Sequence, residues 1–241
     1  MSCSWLFLHG INNTPAIWTP ISKAISYATT TYAPFLPAIA DIDAIAASLW
    51  QTHEQDEPGK RVVLVGHSFG GYIALAMLEQ HPERVGGMVL INSHTRHDNE
   101  AVREVREQTA AAAEHGDYEA LVDAVRERVY HSSNVDDPRL NQQRANDAQE
   151  YGPLRFAAHQ RACAKRPDRL RPLKEFAGPK LVLAAEEDLV IATNHQQAMA
   201  CDCGAAFKII AQAGHMLPAE QPISVADTIN AWWQASTKDP V

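Results

Sequence analysis

Short apolar runs alternate with longer segments of helical periodicity along most of the chain. The apolar runs predict strands over residues 5–8, 29–33, 61–66, 87–92, 180–185 and 206–210. Apolar residues that recur at every third or fourth position predict helices over residues 15–26, 42–53, 69–80 and 221–234. Because strands that alternate with helices form βαβ units, the pattern predicts an α/β fold with a mostly parallel sheet flanked by helices.

One long segment interrupts this alternation, directly after the strand from Gly87 to Asn92. Residues 96–171 show helical patterns only, beginning near positions 99, 117, 137 and 152. We therefore expect residues 1–95 and 172–241 to form the α/β core. Residues 96–171 are expected to form a helical cap over the carboxyl edge of the sheet, where such sheets bind ligands. The alternative is a helical subdomain without a role at that edge.

Composition and charge narrow the class of protein. Hydrophobic residues make up 46% of the 241 positions, which is enough to build one full core. The formal net charge of −8 and the lack of a block of Lys and Arg argue against a nucleic-acid partner. No apolar stretch has the length of a membrane span, and the first residues carry no basic, apolar leader. We therefore expect a cytoplasmic protein without a membrane partner.

The cysteines do not predict a metal site. Cys3 and Cys163 are isolated in the sequence, and the Cys201-x-Cys203 pair lacks both the partner ligands of a zinc site and the spacing of a redox motif. The histidines likewise lack metal-ligand spacing. The sequence predicts reduced thiols, no metal and no cofactor.

The stretch VVLVGHSFGGYIALAML, residues 62–78, places one serine at the tip of a strand-turn-helix. Such a turn exposes the hydroxyl of Ser68 at the edge of the sheet, and Gly66 and Gly70 let the strand and helix pass close to it. The backbone N–H of Phe69 begins the helix, where the helix dipole favours negative charge. The pattern predicts a nucleophilic serine with one oxyanion donor at Phe69.

A serine nucleophile needs a base, and the base needs an acid that orients it. His215 follows the last predicted strand in a Gly-His turn, so it lies at the same edge of the sheet as Ser68. Three acids follow the strand over residues 180–185, namely Glu186, Glu187 and Asp188. The order nucleophile, acid, histidine is the one expected for such a site on this fold.

Four segments resemble the α/β-hydrolase family, and together they cover almost the whole chain. They are FLHGINNTPAIW (7–18), GHSFGG (66–71), GPKLVLAAEEDLVI (178–191) and QAGHMLPAEQP (212–222). Within that family the chain is similar to small carboxylesterases of the pimeloyl-acyl-carrier methyl ester esterase type. Its start resembles plant methylesterases and hydroxynitrile lyases.

The resemblance implies further site residues. It places the acid at Asp188 and the second oxyanion donor at the backbone N–H of Ile11. The chain departs from the family in two places: APFLPAIADIDAIA replaces the usual glycine-rich stretch after the second strand, and Ala185 stands where a glycine is frequent. We therefore expect one side of the pocket to be rebuilt.

Five residues are candidates for the substrate pocket. Asn12 follows the first strand and is either a pocket donor or a turn residue, and His94 follows the strand that ends at Asn92. Tyr118 and Leu121 share the apolar face of a helix in the insert, where they either line the pocket or pack against other helices. Met216 adjoins His215.

The sequence as a whole predicts a serine esterase that acts on a small-molecule ester through Ser68, His215 and Asp188. A lactonase or thioesterase with the same residues, a hydroxynitrile lyase, and a ligand receptor on a hydrolase scaffold are the alternatives. The end of the insert is basic and is either a solvated helix face or, less favoured, a docking surface for an anionic substrate or acidic carrier protein. Its basic residues are Arg155, Arg161, Lys165, Arg166, Arg169 and Arg171.

Overall fold

In the computed structural model, which describes residues 3–28 and 30–237, six strands form one parallel sheet in the order β2-β1-β3-β4-β5-β6. The strands are β1 (Ser4–Leu8), β2 (Thr31–Tyr32), β3 (Val62–His67), β4 (Val85–Ile91), β5 (Lys180–Ala185) and β6 (Ala206–Ile210). Strands β1, β3 and β4 are buried along their whole length, since helices cover both faces of the sheet. The predicted α/β class is therefore confirmed.

Alternate residues of each strand pack on opposite faces of the sheet. Leu6 and Leu64 belong to one core with the helices α2 (Ile42–Asp56) and α3 (Phe69–Gln80). Trp5 and Val63 belong to a second core on the other face. The second core includes apolar residues of α1 (Thr19–Ala24), α10 (Leu217–Glu220) and α11 (Pro222–Thr237). Because all six strands are parallel, their carboxyl ends lie at one edge of the sheet.

Five helical segments fill the chain between β4 and the last helix before β5. They are α4 (Glu100–Ala112), a π-helical turn (Ala113–Asp117), α5 (Tyr118–Ala124), α6 (Arg126–Val129) and α7 (Pro138–Lys165), followed by α8 (Leu170–Glu175). Helix α7 is interrupted at Gly152, whose φ is 75°, so the helices expected near positions 137 and 152 are its two halves. We call residues 96–171 the helical insert. The boundaries of the predicted domains stay a prediction.

Several elements differ from the sequence prediction. Strand β4 runs two residues further toward the amino end and stops before Asn92, because Val85 pairs with Val62 and Asn92 adopts the left-handed conformation, with φ 45°. Strand β2 is shorter than the predicted strand, whose first residue, Thr29, lies outside the described residues. Helix α9 (Thr193–Cys203) was not predicted, because its mostly polar sequence lacks a clear apolar stripe.

Four of the six basic residues at the end of the insert, namely Arg161, Arg166, Arg169 and Arg171, are paired with acids. Arg166 is buried and bonds both carboxylate oxygens of Asp98, at 2.7 and 2.8 Å. Arg169 is buried and pairs with Glu79, at 2.9 Å, and with Asp43. The more exposed Arg161 pairs with two glutamates of the insert, Glu107 and Glu114. Because Arg166 and Arg169 are buried, they belong neither to a solvated helix face nor to a surface that could dock an acidic carrier protein. Binding of such a carrier stays a prediction that these two residues do not support.

No helix within residues 3–28 and 30–237 is both long enough and apolar enough to cross a membrane.

Candidate active site

Ser68 lies at the tip of a tight turn between β3 and α3. Its φ of 50° and ψ of −114° are unusual for a residue with a side chain, and such a conformation costs on the order of 1–3 kcal/mol. The neighbouring backbones approach so closely that a Cβ on Gly66 would lie 2.5 Å from the carbonyl oxygen of Gly70, and one on Gly70 would lie 2.0 Å from that of Leu8. Glycine is therefore required on both sides of Ser68.

Ser68, His215 and Asp188 form a continuous line of hydrogen bonds. The distance from Ser68 Oγ to His215 Nε2 is 2.9 Å, and His215 Nδ1 lies 3.0 and 3.1 Å from the two carboxylate oxygens of Asp188. Because a carboxylate only accepts hydrogen bonds, Nδ1 carries the proton and Nε2 is free to accept the proton of the hydroxyl. The geometry can therefore deprotonate Ser68.

The carboxylate of Asp188 is held in its charged form. Its burial alone would raise the pKa, but His215 and the backbone N–H groups of Val190 and Ile191 hold the pKa below its usual value. Gln196, on the unpredicted helix α9, donates a further hydrogen bond to Asp188 Oδ2 at 3.1 Å. Asp188 thus keeps a negative charge beside the imidazole at neutral pH.

The two rival acids lie elsewhere. Glu186 accepts a hydrogen bond from the backbone N–H of Gln212, at 3.0 Å. Glu187 accepts one from Ser132, also at 3.0 Å, and lies 3.4 Å from His131. Of the three candidate acids, the structure brings Asp188 to His215.

The two expected oxyanion donors lie on the segments that flank Ser68. Phe69 is the first residue of α3, where backbone N–H groups have no carbonyl in a preceding turn to bond. Ile11 lies in the turn after β1, which is closed by a hydrogen bond from the N–H of Asn13 to the carbonyl of Gly10, at 3.3 Å. An oxyanion hole formed by Ile11 and Phe69 stays a prediction.

The helical insert contacts the turn that carries Ile11. The hydroxyl of Tyr118 lies 3.0 Å from the side-chain oxygen of Asn12 and 2.9 Å from the carbonyl of Ala148. Leu121 packs with Tyr118 in an apolar cluster that also contacts Ile11. Both predicted roles of this helix face, as a wall of the site and as a packing surface, therefore remain compatible with the structure.

The other two pocket candidates have different neighbours. Met216 is buried, and its sulfur lies 3.9 Å from the side-chain nitrogen of Asn13. His94 accepts a hydrogen bond from the N–H of Arg96 at 3.0 Å, and its Nε2 lies 3.2 Å from the hydroxyl of Tyr72. His94 is thus oriented by α3 and the start of the insert.

Sequence reasoning missed several buried polar residues around the site. His159 of α7 stacks on the ring of Phe69, with ring centroids 4.4 Å apart. His67 and Asn92 both contact the backbone carbonyl of His215, and Ser93 contacts that of Ser68. The partners of His67, Asn92 and Ser93 are backbone carbonyls, which leave no signal in the sequence, although the polar residues at the ends of β3 and β4 mark the positions.

Asp147 of α7 is a buried carboxyl whose oxygen accepts a hydrogen bond from Thr14, at 2.8 Å. Burial raises the pKa of Asp147 to about 6. Because the folded state then binds this proton more tightly than the unfolded state, Asp147 makes the fold less stable as the pH rises from about 4 to about 6.

Replacing Asp147 with asparagine should remove this pH dependence while keeping an oxygen for Thr14. We expect Asp147→Asn to raise the free energy of unfolding, relative to the wild type, by more at pH 8 than at pH 4.5. Urea unfolding of both proteins at the two pH values measures this difference, in which the other titrating groups cancel. If the difference in the free energy of unfolding between the two proteins does not change with pH, burial does not raise the pKa of Asp147.

Within the part of the chain that the structure describes, no three His, Cys, Asp or Glu side chains are grouped as the ligands of a metal ion would be.

Comparison with known proteins relates this architecture to a family. The model of the alpha/beta hydrolase family matches residues 5–228. Lipase LipV of Mycobacterium tuberculosis is 29% identical over 123 residues, which are 46% of this chain and 45% of the lipase. The aligned part of the chain thus spans less than half the length of this curated relative.

Two solved structures share the fold at low sequence identity. A thermophilic esterase from Thermogutta terrifontis superposes with a TM-score of 0.90 at 23% identity, covering 99% of this chain and 92% of the esterase. The enol-lactonase from Burkholderia xenovorans LB400 superposes with a TM-score of 0.83 at 17% identity, covering 97% and 92%. At these identities the likeness concerns the fold alone.

Proposed function

Because this chain belongs to the α/β-hydrolase family, we propose that it is a serine hydrolase that cleaves carboxylic esters through an acyl-enzyme on Ser68. The observation that carries the proposal is the line of hydrogen bonds from Ser68 through His215 to Asp188, with 2.9 Å between Ser68 Oγ and His215 Nε2. A hydroxyl alone is a weak nucleophile, and this line supplies both the base and the group that orients it.

In the first half of the reaction, Ser68 Oγ attacks the ester carbonyl carbon while its proton passes to His215 Nε2. The resulting oxyanion is stabilised by the backbone N–H groups of Ile11 and Phe69. Asp188 stabilises the imidazolium without taking its proton. When the tetrahedral intermediate collapses, the alcohol leaves with the proton from His215 Nε2, and the acyl group remains on Ser68.

In the second half, water replaces the alcohol. His215 Nε2 takes one proton from the water as its oxygen attacks the acyl carbon, and the same two backbone donors hold the oxyanion. Collapse releases the carboxylic acid and returns the proton to Ser68 Oγ. The reaction consumes the ester and one water and releases the alcohol and the carboxylic acid.

The proposal extends to the insert, which we propose selects the acyl group. Tyr118 and Leu121 lie on its apolar face beside the turn of Ile11, whereas Ser68 and the backbone donors recognise no particular acyl chain. Shortening Leu121 would widen the site by about three methyl-sized groups where the acyl chain would lie. Leu121→Ala is therefore expected to shift the preference toward longer acyl chains.

A substrate panel tests both the proposed ester cleavage and the proposed selection of the acyl group by the insert. Release of p-nitrophenol from acetate, butyrate and octanoate esters gives kcat/KM for the wild type and Leu121→Ala, and a γ-lactone and a thioester test the alternative leaving groups. We expect ester turnover by the wild type, and a several-fold rise in the ratio of octanoate to acetate kcat/KM in the variant. Leu154→Ala, at an exposed position of the insert, is the control and should leave the ratio unchanged. No turnover of any substrate would favour a ligand receptor.

A further inference from the structure

The backbone carbonyl of His215 accepts hydrogen bonds from two buried side chains. His67 Nε2 lies 2.8 Å from this oxygen, and Asn92 Nδ2 lies 2.9 Å from it. His67 is the last residue of β3 and Asn92 follows β4, so the two donors come from neighbouring strands. A carbonyl oxygen has two lone pairs, and this pair of donors uses both. We call His67 and Asn92 the His215 clamp.

The chemistry of His67 fits a permanent donor. Because its partner only accepts, Nε2 must carry the proton. Burial lowers the pKa of His67 to about 3, so the ring stays neutral over the pH range in which a hydrolase of this type works. His67 is therefore available to donate to His215 without itself titrating.

Asn92 extends the clamp to the strand that leads to Asp188. Its Oδ1 accepts a hydrogen bond from the N–H of Ala185, the last residue of β5, at 2.9 Å. Its Nδ2 also lies 3.0 Å from the carbonyl of Gly214. The left-handed backbone of Asn92, with φ 45°, directs its amide across these two segments. One amide thus holds the segment of His215 against the end of β5.

The rest of the His215 turn has other supports. The N–H of Gly214 donates to the buried carboxyl of Glu220 at 2.8 Å, and the N–H of Met216 donates to the carbonyl of Val129 at 2.9 Å. Loss of the clamp therefore leaves the turn attached on both sides of His215, and the residue that is released is His215 itself.

We propose that His67 and Asn92 are positioning residues that place His215 Nε2 within hydrogen-bonding reach of Ser68 Oγ. The proposal rests on the proposed function of that pair. Displacements of about 1 Å in a reacting pair lower rates by about 100-fold, so a clamp on the backbone of the base acts on kcat rather than on substrate affinity. Since either donor alone still satisfies the carbonyl, the two should compensate for each other in part.

The test is a double-mutant cycle. His67→Phe keeps a ring and removes the donor, and Asn92→Gly removes the amide while tolerating the left-handed backbone. We expect each single variant to lose about 10-fold in kcat with little change in KM, and the double variant to lose well over the product of the two. His67→Gln, which restores an N–H donor, should recover most of the loss. Rates of phosphonylation by a fluorophosphonate should follow kcat.

His53→Phe is the matched control. His53 of α2 is also buried, and its Nε2 lies 2.8 Å from Ser4 Oγ at the start of β1, at the opposite edge of the sheet. The same substitution there removes one buried hydrogen bond of similar length. We expect His53→Phe to lower the thermal unfolding temperature as His67→Phe does, but to leave kcat within twofold of the wild type.

The possible outcomes distinguish a failure of the clamp proposal from a failure of the proposed function. Clamp variants that lose stability like His53→Phe but keep full kcat, with Ser68→Ala inactive, would overturn the clamp alone. Turnover by Ser68→Ala would overturn the proposed function. If His67→Phe or Asn92→Gly does not fold, His67→Gln and Asn92→Asp replace them: the first keeps a donor and should keep kcat, and the second lacks the donor and should lose it. The reverse order would refute the clamp.

Discussion

Ser68→Ala is expected to lose both ester turnover and covalent labelling by a fluorophosphonate probe. Removing the nucleophile of a comparable serine hydrolase lowers kcat by about 10⁶-fold, because no other group can form the acyl-enzyme. Alanine retains the Cβ and leaves the tight turn between Gly66 and Gly70 in place. The loss is therefore expected in a folded protein, as circular dichroism and thermal unfolding would show.

The measurement is the intact mass after incubation with the probe, together with turnover of a p-nitrophenyl ester. The wild type should gain one phosphonyl group, located by peptide mapping on Ser68. Ser26→Ala, at an exposed serine in the turn after α1, is the control and should be labelled and active like the wild type. Stoichiometric labelling of Ser68→Ala, or substantial turnover by it, would refute the assignment of the nucleophile.

Asp188→Asn is expected to lower kcat by about 10⁴-fold, with the fold intact. The carboxylate accepts the Nδ1 proton of His215 and so leaves Nε2 unprotonated toward Ser68. An amide that donates to Nδ1 would stabilise the other tautomer, whose Nε2 proton prevents it from acting as a base. Because the pKa of Asp188 is held below its usual value, the contribution of its charge to stability is present at neutral pH and is lost only as acidification protonates it.

Glu187→Gln is the matched control for the acid. Glu187 precedes Asp188 directly but bonds Ser132 and lies near His131 rather than His215. The variant should keep kcat within a few-fold of the wild type. A damaging Glu187→Gln together with a mild Asp188→Asn would show that the acid is assigned to the wrong residue.

The sequence predicted most strands and the positions of Ser68 and His215, because both signals are local. A fully buried strand is a continuous apolar run, and the turn at Ser68 needs glycines at fixed offsets. Strand β4 was placed two residues too late because glycine is rare in strands and Gly86 separates Val85 from the rest of the apolar run. Within the fold, the Sγ of Cys3 and the ring of Trp233 occupy the space that Cβ atoms on Gly86 and Gly87 would need.

The residues that support the site could not be predicted from local sequence. His67 and Asn92 bond a carbonyl that lies 148 and 123 residues away in the chain, and a backbone carbonyl leaves no mark in the sequence. The wrong expectation of an exposed Arg166 has the same cause. A run of basic residues indicates a solvated face, but Asp98, 68 residues earlier, compensates its charge within the fold.

The ends of the helical insert meet at a single place on the core. Arg166 Nε donates to the carbonyl of Arg96 at 3.0 Å, and the N–H of Arg169 donates to the carbonyl of Thr95 at the same distance. The insert therefore returns to the core beside the point where it leaves, and its two ends are tied to each other. Between these ends the insert also supports the site, since the carbonyl of Val129 accepts a hydrogen bond from the N–H of Met216 and His159 stacks on Phe69. In evolutionary terms, a change in the insert therefore acts on the turn of His215 as well as on the proposed selection of substrate.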